Sequence, residues 1–257
     1  MTAGRPLVWA LLATVVVAAT WPLKAGLSND ATQYLTSAKE LREGHGFSTS
    51  ILYFDEHYRF GTLPAPQTVW PPGYPALIAG VAATGMGVET AARMIPKVAF
   101  VLLFPLLYLL AFRLTGSPVL ASLACLWQLG LTEFWMYLTA PNSELPFIVA
   151  SLAALLLVPG EIADTRRWAG ASLCAGAAVW IRYAGVFLLA SLAVALVAEL
   201  WLDWRRRGVP RLRPVLWASP GFVMVAVLIW RNQLLVGSLQ GGNTKVVIQP
   251  LSDLLQT

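Results

Sequence analysis

Charge is what this sequence has least of. Asp, Glu, Lys and Arg make up 12% of its 257 residues, against about 25% in ordinary soluble domains. With 57% hydrophobic residues and a mean hydropathy of +0.65, that scarcity argues against a water-soluble chain and for a polytopic membrane protein. Cysteine is nearly absent as well. Cys125 and Cys174 both fall in apolar runs, so they read as small core residues rather than a disulfide or metal pair. There is no Walker A sequence, no GxGxxG after a strand, no HExxH and no GxSxG. A nucleotide-driven pump or a membrane protease of those kinds therefore has no support. Heptads, fixed-period repeats and low-complexity tracts are missing too. The formal charge of +5 does not point to nucleic acid. Its clearest basic cluster, Arg205-Arg206-Arg207 with Arg211 and Arg213, lies between two apolar runs and reads as a cytoplasmic membrane loop.

What is present is a series of apolar runs. They suggest about seven transmembrane helices, near 7–23, 93–112, 117–137, 143–159, 168–182, 184–201 and 214–230. Several fall short of the ~20 residues needed to cross a bilayer, so their ends are expected to extend. Arg5 followed by Leu7 to Ala19 resembles a signal peptide, with Val17-Ala18-Ala19 a passable cleavage site. An uncleaved first span is the preferred reading. Trp21, Trp168, Trp201, Trp204 and Trp230 sit near run ends, as interfacial belts would place them. With the N-terminus inside, Arg5, Arg113, Arg166, Arg167 and the cluster from Arg205 to Arg213 all fall in cytoplasmic segments. Residues 24–92 then form a long first extracytoplasmic loop, and the tail after Arg231 lies outside with Lys245. The expected fold is an all-α polytopic protein of the cell membrane, a single module over 1–257.

The first outer loop carries helical spacing from Ala31 to Glu43. Ala31, Tyr34, Leu35, Ala38 and Leu41 make an apolar stripe, while Gln33, Lys39, Glu40, Arg42 and Glu43 are the polar remainder. This predicts an amphipathic helix on the membrane surface, stopped by Gly44. Residues 61–75 are rich in proline and predict extended or turned chain. Leu77 to Thr84 is apolar but too short to cross, and predicts a helix half sunk in the outer interface.

Four groups of side chains carry candidate chemistry. Asp30 stands at the head of the loop helix, where an acid suits proton transfer. It also has capping-box spacing with Gln33, and the two roles are compatible. Glu144 follows Pro141-Asn142-Ser143 at the outer mouth of a span. It is either a functional carboxylate or a partner of the positive helix end. The third group is basic. Arg93 and Lys97 lie one turn apart, Arg182-Tyr183 interrupts apolar chain, and Arg231-Asn232 closes the last span. Arginine suits phosphate; snorkelling is the preferred reading for Lys97. The fourth is His45 with Asp55-Glu56-His57, which admits a divalent metal but matches no strong ligand spacing.

The order Ser28-Asn29-Asp30, Tyr34, Ala38, Gly44-His45-Gly46-Phe47, Trp70-Pro71-Pro72-Gly73-Tyr74-Pro75 and Ala91-Ala92-Arg93 resembles the N-terminal half of GT-C glycosyltransferases. The branch is that of protein mannosyltransferases and aminoarabinose transferases. Ser143-Glu144, Arg182-Tyr183, Gly185, Arg231-Asn232 and Gly237-Ser238 are similar to later landmarks of the same group. The resemblance implies an inverting transfer from a polyprenyl-phosphate sugar donor to an acceptor on the extracytoplasmic face. It implies Asp30 as general base and Arg93 at the leaving phosphate, with Tyr34, Glu144 and Arg182 around the substrate. No nucleotide cofactor is implied, and no nucleic-acid partner.

Two departures accompany the resemblance. Many relatives show an Asp-Glu pair where this chain has Asn29-Asp30. The family also continues with further spans, so this chain is expected to lack a C-terminal part. Two rival readings are a transporter or flippase of lipid-linked substrates, and a truncated, non-catalytic lipid-binding module. The sugar, lipid carrier and acceptor are not legible.

Overall fold

The computed structural model describes residues 4–52, 55–160, 162, 164–209 and 212–242, with the side chains of Asp55 and Glu56 outside the description. Arg211 and Lys245, both used in orienting the chain, also lie outside the described residues. The protein is mostly helical. In chain order the elements are α1 (Gly4–Ala19), α2 (Asn29–Arg42), β1 (Ser48–Thr49), α3 (Asp55–Arg59), β2 (Ala65–Pro66), α4 (Gly73–Ala82) and α5 (Val88–Thr115). Then follow α6 (Pro118–Leu129), α7 (Thr132–Thr139), α8 (Glu144–Leu157), α9 (Thr165–Ile181), α10 (Gly185–Arg207) and α11 (Arg213–Val236).

Each expected apolar run is helical, yet among the described residues three helices are long and apolar enough to cross a membrane: α5, α10 and α11. The run expected at 117–137 is broken. α6 ends at Gly130, and α7 leaves at 65° to it. α1 and α8 are apolar but shorter, and α9 opens on Arg166 and Arg167. The outward faces remain strongly apolar. Phe187 is 75% exposed, Leu216 72% and Trp230 65%, which suits a bilayer and not water.

Neighbouring helices pack both ways. α9 and α11 run in the same direction, since Ser172 meets Gly221, Trp180 Nε1 donates to Met224 O and Tyr183 meets Asn232, while α1 and α5 run oppositely. Trp9 of α1 stacks near Phe104 of α5, and Trp21 just beyond α1 meets Lys97 near the start of α5. α1 thus runs against α5, and α5, α6, α7 and α8 close the first core around Phe100, Phe104, Cys125 and Leu145. A second core joins α8 to α11 around Trp168, Ala175, Leu192 and Val225. The tightest crossing is α9 on α11. A Cβ at Gly221 would run into the Ser172 carbonyl, and one at Gly176 would meet Gly221 O at 2.9 Å. Small residues let these two backbones touch.

Several expectations need correction here. Trp21, Trp201, Trp204 and Trp230 are exposed near helix ends, but Trp168 is fully buried in the second core. α4 starts earlier than its apolar run and is wedged between α2 and α5, with Tyr74, Ile78 and Ala82 fully buried. It is a packed element, because its aromatic and branched face meets Tyr34 and Ala91. Lys97 does not snorkel: it is 7% exposed and donates to Trp21 O at 3.0 Å, with Nζ 4.1 Å from the Trp21 ring centre. A short antiparallel ribbon, Ser48 opposite Pro66 and Thr49 opposite Ala65, was not foreseen.

Candidate functional site

α2 builds the site. Its N-cap is Ser28, whose Oγ accepts from Ala31 N at 3.1 Å. The capping-box reading of Asp30 and Gln33 is therefore corrected. The serine hydroxyl already takes the orphan donor, which leaves Asp30 in the first turn at the positive helix end. Asp30 is exposed, and its carboxylate makes no hydrogen bond or ion pair with another described residue. Gln33 turns inward instead, at 2% exposure.

The apolar stripe of α2 is as expected, with Ala31, Tyr34 and Ala38 buried. The supposed polar face is not all wet. Glu40 is buried, bonded to the Ser50 hydroxyl and to His45 Nδ1 at 2.7 Å. These partners hold its carboxyl below the ordinary range, the Ser50 hydrogen bond most of all. Gln33 Nε2 donates to Ile51 O at 3.2 Å. Its Oε1 accepts from Thr49 Oγ1 at 3.1 Å and from Gln67 Nε2 at 3.0 Å. The loop after α2 is thus bolted to α2 through buried polar side chains, each satisfied. Gly44, with φ +86°, makes the turn between them.

Tyr34 joins α2 to the rest of the molecule. Its ring lies edge-on to Tyr74, with centroids 4.9 Å apart. Its hydroxyl shares a 3.1 Å hydrogen bond with Ser143 Oγ, and burial pushes its pKa up, so it stays protonated. Ser143 is fully buried and also accepts from Arg182 Nη1 at 3.2 Å. Arg182 forms an ion pair with Glu144. Arg182 occupies the C-cap of α9 in extended conformation, which turns its side chain away from the helix it ends.

These residues meet at a hollow of about 290 Å³ lined by Asp30, Tyr34, Trp70, Pro71, Arg182 and Tyr183, among others. The structure therefore brings Asp30, Tyr34 and Arg182 to one cavity, with Glu144 holding Arg182. Arg93 is elsewhere. It lines a separate hollow of about 240 Å³ with Trp21, Lys24, Glu89 and Lys97. Its Nε donates to Glu89 at 2.8 Å, and its Nη1 donates to Ala25 O at 3.1 Å and Thr139 O at 3.2 Å. Both carbonyls lie shortly before site residues: Ala25 before Asp30, and Thr139 before Ser143. Arg93 thus pins the feet of the two segments that enter the Asp30 hollow.

Of the expected metal group, only the side chains of His45 and His57 lie among the described residues. His57 Nε2 meets Gln67 Oε1 at 3.2 Å, while His45 pairs with Glu40. The carboxylates of Asp55 and Glu56 lie outside the described residues. Among the described residues, Glu40, Glu43 and His45 offer ligand atoms within 4.8 Å of one another, but Glu40 already holds His45 and Ser50.

Sequence reasoning had Ser143 only as a landmark beside Glu144, and Arg231 only as a candidate phosphate ligand; the structure makes Ser143 the hub of the cluster and Tyr183 and Arg231 the anchors of its far wall. Tyr183 donates to Thr68 O at 2.7 Å and accepts from Asn232 Nδ2 at 2.9 Å. Arg231 donates to Phe47 O at 3.2 Å and Gln67 O at 2.9 Å. The signal was the pairing of each arginine with a polar neighbour, Arg182 with Tyr183 and Arg231 with Asn232. No protein-family model, curated protein or solved structure matches the chain.

Proposed function

We propose that this chain is a membrane glycosyltransferase of the GT-C kind, taking a sugar from a polyprenyl-phosphate donor to an acceptor at the extracytoplasmic face. In this reading α1, α5, the α6–α7 pair and α8 to α11 make seven spans in the cell membrane. The segment carrying α2 and α4 is the outer loop. The observation that carries the reading is Asp30: an acid freed from capping by Ser28, at the edge of a hollow that also holds Arg182. An exposed carboxylate with no hydrogen-bond or ion-pair partner among the described residues can take a proton from an acceptor hydroxyl.

The steps follow from simple chemistry. The acceptor hydroxyl attacks the anomeric carbon as Asp30 takes its proton. The bond from that carbon to the phosphate oxygen breaks, and the lipid phosphate leaves with the electron pair. Attack opposite the leaving group inverts the centre. Arg182 is steadied by Glu144, and the neutral Tyr34 hydroxyl shapes the sugar side of the cavity. In this reading Arg182 is the cation that faces the departing phosphate, since cations placed where charge develops lower the barrier, and Arg93, in its separate hollow, acts through the two segments it pins.

The test is release of polyprenyl phosphate from radiolabelled polyprenyl-phosphate sugars, in proteoliposomes of the full chain with a panel of acceptors. Asp30→Asn should lower turnover by about 10²- to 10⁴-fold with donor binding retained. Turnover at the unmutated rate would end the proposal. Movement of donor across the bilayer without transfer would point to a flippase instead.

A further inference from the structure

We propose a second lipid site at the opposite end of the bundle: a cleft that takes an acyl chain of an anionic phospholipid, with its headgroup on Arg113 and Arg167. The cleft measures about 360 Å³ and lies between α5, α8, α9 and α10. Leu110, Leu114, Leu155, Leu188, Leu192 and Ala195 form most of its wall, and Arg113 stands at its rim. Two of its four walls, α5 and α10, are long and apolar enough to cross a membrane, and it lies beside the exposed Phe187 and Val194 of α10. A gap of that kind in a bilayer is filled by hydrocarbon tails.

The arginines select which lipid. Arg113 donates to Leu156 O and to Val158 O, each at 2.7 Å. Arg167 donates to the same Leu156 O at 2.9 Å. One guanidinium suffices to cap the carbonyl end of α8. Two on one oxygen place like charges side by side, and Asp164 answers Arg167 across 3.9 Å with both side chains nearly half exposed. Arg113 and Arg166 have no carboxylate partner among the described residues. The wider end repeats the imbalance among the described residues: Arg5, Arg205 to Arg207 and Arg213 add to these, against Asp164, Glu199 and Asp203. A guanidinium fork on a phosphodiester, with the attached tail in the apolar cleft, satisfies both halves of the site.

The inference rests on the membrane reading but not on the transferase reading, since the cleft shares no residue with the Asp30 hollow. The experiment is native mass spectrometry of the full chain in mild detergent, titrated with dioleoyl-phosphatidylglycerol or dioleoyl-phosphatidylcholine. The wild-type chain should retain the anionic lipid about tenfold better. Arg113→Gln with Arg167→Gln should erase that preference, while Arg113→Lys with Arg167→Lys, a control for folding, should keep most of it. Ala195→Phe fills the cleft and should release both lipids. Asp30→Asn should leave retention unchanged, whatever its effect on transfer. Equal retention of the two lipids by the wild-type chain would overturn the proposal. So would undiminished binding to Ala195→Phe, or binding of glycerophosphoglycerol, which has no tails, as strongly as the whole lipid. Displacement of phosphatidylglycerol by polyprenyl phosphate at equal concentration would assign the cleft to the donor and overturn it as well.

Discussion

Gln33→Leu tests whether buried polar bolts hold the loop that walls the Asp30 hollow. Gln33 is 2% exposed and makes three side-chain hydrogen bonds. Leucine keeps the volume and removes all three. Thr49 recovers in part, since its hydroxyl also lies 3.4 Å from Ile51 O and accepts from Ile51 N at 3.2 Å. Gln67 Nε2 does not: no second acceptor for it exists among the described residues. An orphaned buried amide with two weakened bonds costs about 2–3 kcal/mol. If the cost falls on local opening of the loop, hydrogen exchange there should speed up about 30- to 160-fold. Exchange mass spectrometry on peptides covering 45–52 and 57–69 reads this directly. Peptides from α5 and α9 should not change, because their packing is apolar and does not involve Gln33. Acceleration below about threefold, or acceleration spread evenly over the protein, would refute the bolting argument.

Three other outcomes follow from the same contacts. Ser28→Ala should cost about 1 kcal/mol of α2 stability, seen as faster exchange at Ala31 and Thr32, whereas Asp30→Asn should leave that exchange unchanged. Gly221→Ala should destabilise the fold by about 1–3 kcal/mol through forced separation of α9 and α11, read as a lower unfolding midpoint in detergent; Gly80→Ala, with open space at its Cβ, is the control. Glu40 titrates below its ordinary value of 4.5. Its contribution is therefore complete above that value and lost as pH falls through the lower folded value. Protease cleavage within 45–50 should rise on acidification below 4.5 in the wild-type chain, and should be raised already at neutral pH in Glu40→Gln.

Much of the fold was legible because the signal was local. Runs of apolar residues give helices wherever a backbone must satisfy itself away from water, and each expected run is helical. The stop at Gly44 and the stripe through Tyr34 and Ala38 follow from one helical period. What was not legible depended on a neighbour. Gln33 and Glu40 read as solvated because nothing local announces the ribbon that buries them. Trp168 read as interfacial because a run end looks the same whether lipid or α10 lies beyond it. The break at Gly130 did leave a local trace, Gln128, Gly130, Thr132 and Glu133 inside the run, but hydropathy averaged over a span passes over it.

The site shows the same limit more sharply. Tyr34 and Ser143 are 109 positions apart, and Ser143 and Arg182 are 39 apart. No spacing rule reaches that far, so Ser143 stood out only as the residue before Glu144 and not as a partner of Tyr34 and Arg182. Arg182 did stand out, because a cation in apolar company must find a counter-charge, and Glu144 is that counter-charge. The same reasoning places Arg93 differently from Arg182. Arg93 spends its donors on Glu89 and two backbone carbonyls, so it acts first as a tie between the approaches to Asp30 and Ser143. A residue with that duty should affect the shape of the Asp30 hollow even where it touches no substrate. Arg93→Lys keeps the charge but not the fork that spans two carbonyls. Separating its effect on donor affinity from its effect on turnover would therefore tell a phosphate ligand from a structural tie.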